Sequence, residues 1–174
     1  MAEAMTMGIN IALVVQKKLT PFKNPKKLSS TKYKLLFGHE SSNQSNLIGS
    51  DINIPLNDYQ LSLSLNNRSA NNQSSPIGTL ENTALEKSDL TFGLTKFGEK
   101  DLITIELKDF TMDYGIPGSP EGHINGVDLA LKNQIQKLKY HSDINFMSFN
   151  IIDLEQGYVR YGHKEFVKGS NYAS

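Results

Sequence analysis

Apolar residues in this chain recur at every second position. Ile9, Ile11, Leu13 and Val15 share one parity, separated by Asn10, Ala12 and Val14. Tyr59, Leu61, Leu63 and Leu65 alternate with Gln60, Ser62 and Ser64. The segments Leu90–Leu94 and Ile103–Lys108 repeat the pattern, and Tyr33–Phe37, Phe146–Ile152 and Tyr158–Val167 complete it. A period of two is the signature of a strand with unlike faces. After Lys108 the phase slips, because Phe110, Met112 and Tyr114 continue on the opposite parity. A bulge or bend near Lys108–Asp109 would produce that slip. Glu155-Gln156-Gly157 reads as a hairpin turn.

One segment departs from alternation. Val127, Ala130, Leu131, Ile135 and Leu138 fall at helical spacing, Asn125 can cap the start, and lysines crowd the end. This predicts a packed α-helix over about 127–140. A shorter helix is predicted through Glu81–Lys87. The expected fold is mainly β: a β-sandwich or jelly roll, or a partly open barrel, with one packed α-helix. Residues 9–168 are expected to form a single domain between flexible ends at 1–8 and 169–174. Asn/Ser-rich loops are expected at 41–46 and 66–76, and a Pro/Gly loop at 116–122.

Composition narrows the chemistry. The chain of 174 residues has no cysteine, which removes disulfides, thiolate metal sites and cysteine nucleophiles, and suits a cytoplasmic location. The apolar run Ile9–Val15 is too short to span a membrane. No Walker loop, dinucleotide fingerprint or nucleophile elbow is present. No cofactor and no metal are expected.

Charge is balanced overall, at 18 basic and 18 acidic residues, but unevenly placed. Lys17, Lys18, Lys23, Lys26, Lys27, Lys32 and Lys34 lie in a stretch, Gly8 to His39, that holds no acid. The rest of the chain is net acidic. Such a segment can contact an anionic partner: non-specific nucleic acid, an acidic membrane surface or an acidic protein. It can also dock on the acidic body of a second copy, building the expected homo-oligomer. It can also be a solvated device that protects an edge strand. Arg68 and Arg160 are the only arginines, so base-specific readout is not expected.

The function these features favour is a non-enzymatic structural or interaction protein that self-associates, of the kind found in viral, phage or secretion assemblies. The alternative is a small jelly-roll enzyme, metal-dependent or acid–base. His141-Ser-Asp143 and His163-Lys-Glu165 each place an imidazole and a carboxylate on one face of a strand. His141, Asp143 and His163 could then supply a two-histidine, one-carboxylate metal site.

Overall fold

A computed structural model describes residues 2–16, 25–146 and 149–167. Ten strands run in chain order as β1 (Ala2–Gln16), β2 (Lys32–Glu40), β3 (Ser45–Leu56), β4 (Tyr59–Ala70), β5 (Gln73–Ser75), β6 (Gly78–Leu80), β7 (Leu85–Phe97), β8 (Asp101–Ile116), β9 (Val127–Phe146) and β10 (Phe149–Val167). Eight of them form one sheet in the order β1-β10-β9-β8-β7-β4-β3-β2, and every pairing in it is antiparallel. The short β5 and β6 make a separate hairpin. Asn57, with φ 55°, supplies the left-handed residue for the two-residue turn between β3 and β4.

The mainly β expectation holds, and the helix does not form. No helix occurs among the described residues, and 127–140 belongs to the strand β9. The reason is legible in the register. Directly opposed residues of an antiparallel ladder project to the same face. Val127, Leu129, Leu131 and Ile135 share what we term the back face, whereas Leu138 and Tyr140 share the front with Ile105 and Ile103. The apolar side of β9 changes face between Ile135 and Leu138, and that step of three imitates a helical repeat.

The phase slip in β8 has the same origin. Its pairing with β7 and with β9 runs unbroken through Lys108 and Asp109, so no bulge is present there. Ile103, Ile105 and Leu107 face the front, and Phe110, Met112 and Tyr114 face the back. Other local readings give way to the ladder as well. Residues 81–84 are turn and coil leading into β7, and Glu155–Gly157 lies inside β10, paired with both β9 and β1. Residues 66–70 continue β4, and β5 takes up 73–75 of the expected loop. Ser45 and Asn46 already belong to β3. Residues 2–8 fall within β1, while 169–174 lies outside the described residues.

Contacts between strands follow sheet order alone, and among the described residues no second layer faces the sheet. The core is correspondingly thin. Among the described residues Ala70, Leu102, Leu129 and Ile151 are the buried apolar ones, and no described side chain is fully enclosed. A single layer leaves each side chain flanked by its neighbours but open from above.

Candidate functional site

The front face carries a continuous apolar field. One row runs Ile54, Leu61, Leu94, Ile105, Leu138, and the next runs Tyr33, Ile52, Leu63, Phe92, Leu107. Leu63, Leu65, Leu90, Phe92, Ile103, Ile105, Leu107, Leu138 and Leu154 are all exposed. Scattered surface leucines are ordinary, but a contiguous field of this extent marks an interaction surface. A second apolar cluster lies on the back, toward the other end of β8–β10, where Leu85, Met112, Tyr114, Leu129 and Leu131 stand in adjacent register. Sequence reading registered the parity change that separates these fields but assigned it to a bulge. The signal that could have found them is the same switch recurring in both β8 and β9.

The opposite end of each face is polar. On the back, Ser62 Oγ donates to Asn53 Oδ1 at 2.7 Å and Ser64 Oγ to Asp51 Oδ1 at 2.6 Å. These groups line a groove of about 670 Å³ with Glu106 and Lys139, and Pro25 and Lys26 contribute to its wall. On the front, Lys132, Arg160 and Lys164 surround Gly162 in a hollow of about 380 Å³ that also holds Asp113.

Four lysines of the basic segment, Lys26, Lys27, Lys32 and Lys34, lie among the described residues. Lys17, Lys18 and Lys23 lie outside the described residues. Lys27 Nζ meets Asp58 Oδ1 at 2.9 Å, and the Leu28 N–H donates to Gln60 Oε1 at 3.2 Å, tying the connector to the β3–β4 turn. The Lys27 ammonium donates a hydrogen bond to the Asp58 carboxyl and holds its pKa below the usual carboxylate range, with the attraction between the two charges adding to the effect. Lys26 reaches the back groove, and Lys32 and Lys34 stand on β2, an edge of the sheet. Lys26, Lys32 and Lys34 all stand beside Asp51 and Asn53 on the back, while Lys27 turns to Asp58.

The structure also separates the residues of the alternative metal site. His163 pairs with Leu131 and His141 with Asp153, ten positions apart along β9, or roughly 33 Å. His141, Asp143 and His163 therefore cannot share one ion. No group of three or more His, Asp or Glu side chains suited to a metal occurs among the described residues. His141 has a different role. Its Nδ1 lies 2.6 Å from Asp153 Oδ1 in a largely buried pair beside Leu102, with Asp143 Oδ1 at 3.8 Å from Nε2. This pair joins the top of β9 to β10. His163 Nε2 is 3.4 Å from Glu165 Oε1, well removed from that cluster.

No family model matches the chain, and no curated protein matches it.

Proposed function

We propose that the protein is a non-enzymatic structural subunit that self-associates, completing its core by laying another copy over the apolar front. The observation that carries this reading is the accessible surface. The chain exposes 12383 Å². A folded monomer of its 19.4 kDa exposes roughly 8500 Å². The difference, about 3900 Å² per copy, is more than the half-share of about 1000–2500 Å² that each partner of an obligate interface of about 2000–5000 Å² buries, so there is ample surface for such an interface. A chain whose sheet has one layer has little core of its own, and covering the front is the direct way to build one. Two copies placed front to front would form a β-sandwich with the core between them.

The height of the apolar field favours protein over lipid as its cover. Among the described residues no helix is long and apolar enough to cross a membrane. The segments Leu61–Leu65, Leu90–Leu94 and Ile103–Leu107 are each five residues long, or roughly 17 Å. A lipid-facing barrel band is about 25 Å tall. Below the field the front turns to Lys132, Arg160 and Lys164, which suits water or an acidic surface. Lys26, Lys32 and Lys34 are exposed and remain available to the acidic body of a neighbouring copy or to another anionic partner.

Light scattering coupled to size-exclusion chromatography tests the reading. The expected result is a concentration-dependent oligomer at both low and high salt, since burial of apolar surface is not screened. A strict monomer at both salt concentrations overturns it.

A further inference from the structure

We infer that two copies join edge to edge through β2, in antiparallel register centred on Leu36, so that the sheet continues from one copy into the next. This rests on the reading of the chain as a self-associating subunit and specifies one of its joints.

Among the described residues, β2 is an edge with no neighbour on its outer side. All nine of its residues are exposed, and Tyr33, Leu35 and Phe37, at 78%, 60% and 71%, exceed the apolar residues of the inner strands on the same front face, of which Ile48 at 56% is the most exposed. An apolar edge strand with unpaired N–H and C=O groups is a template for another strand. Closure within the chain does not use it, because β1, at the far edge of the sheet, makes no contact with β2.

The sequence of β2 says which strand fits. Lys32-Tyr-Lys-Leu-Leu-Phe-Gly-His-Glu40 is self-complementary about its centre. Turned antiparallel on a twofold axis at Leu36, Leu35 of each copy faces Phe37 of the other, and Tyr33 faces His39. These pairs all fall on the apolar front, because β2 opposes Ile52, Ser50 and Ile48 there. Lys32 faces Glu40 at both ends, and Lys34 faces Gly38, which leaves its long side chain room. All nine residues are paired.

Shifting the axis to Tyr33 or Lys34 shortens the ladder and sets lysine against lysine. Like charges directly opposed destabilise a strand pair. The two lysines thus disfavour those slips, while axes at Leu35 or Phe37 leave only seven residues paired and forfeit the Lys32–Glu40 pairs. A twofold joint is also the commonest symmetry of homo-oligomers.

The absence of cysteine makes the test clean. In the proposed joint the two Leu36 Cα atoms lie about 4.5–5.5 Å apart, within the span of about 4.4–6.8 Å that a disulfide bridges. Leu36→Cys is expected to form a covalent dimer under mild oxidation. Lys34→Cys and Gly38→Cys are expected to cross-link when mixed, at least tenfold faster than either alone. A Cβ at Gly38 would meet Leu47 at 3.5 Å, an ordinary contact, so that variant folds. Lys34→Cys cross-linking alone as fast as the mixture overturns the register. An oligomer by light scattering whose Leu36→Cys form stays uncross-linked overturns the β2 joint and leaves self-association standing. A monomeric wild-type protein removes both.

Discussion

Ile105→Asp is the sharpest perturbation of the proposed core. Ile105 sits mid-sheet on the front, between Leu94 and Leu138, and remains 45% exposed. Full burial of an isoleucine side chain contributes about 1.5–3 kcal/mol, so covering the exposed part contributes about 1 kcal/mol per copy. Aspartate forfeits that and places a carboxylate beneath the partner, at a cost of several kcal/mol after relaxation. The total, about 4 kcal/mol per copy and so about 8 kcal/mol for a dimer whose two copies both carry the change, corresponds to roughly a million-fold rise in Kd. The isolated copy loses little, since the side chain already meets water; the difference in strand preference is about 1 kcal/mol at most. Thr111→Asp supplies the control. It lies on the same strand and face, but beside Ser88 and Lys132, past the apolar field, and is expected to leave Kd within a few-fold. Sedimentation equilibrium over a hundredfold range of concentration measures both. If Ile105→Asp and wild type give the same association curve, the front is not the interface. If Ile105→Asp instead unfolds the chain without a monomeric intermediate, the free energy assigned to association belongs to folding.

Other consequences follow from single contacts. His141→Leu removes the partner of the largely buried Asp153 carboxylate and is expected to destabilise the fold by about 2–3 kcal/mol in urea titration; a loss under 0.5 kcal/mol would show the pair to be incidental. Asn82→Ala should cost about 2–4 kcal/mol, because Asn82 holds φ 60° while its Nδ2 donates to Ile116 O at 2.7 Å and Val127 O at 3.1 Å, clasping the end of β8 to the start of β9. The Lys27–Asp58 pair gives a pH signature. Because the folded pKa of Asp58 is depressed, its contribution is present above the unfolded carboxylate value of about 4 and fades as pH falls through the lower folded value. Thermal melts of Lys27→Met should show a smaller loss below pH 4 than wild type, and identical acid limbs would remove the pair from the account.

What the sequence alone determined is the material of the sheet. Alternation in Tyr59–Leu65, Leu90–Leu94 and Ile103–Lys108 specified strands, because a period of two is a local property that survives whatever the strand pairs with. The cysteine count and the uneven placement of lysines were equally local. Tertiary structure decided everything that depends on which face is covered. The parity change in β8 and the helix-like spacing of β9 are one event seen twice: the apolar field crosses from front to back at the same level of the sheet. A single strand cannot reveal that, since only its neighbours define a face. The Glu155–Gly157 turn signal failed for a related reason, because ladders on both sides outweighed a local preference. The histidines show the same limit: their spacing was visible, but the antiparallel return of β10 set His163 beside Leu131, far from His141. Register is a long-range quantity, and it decided both where the apolar fields lie and which charged groups can meet.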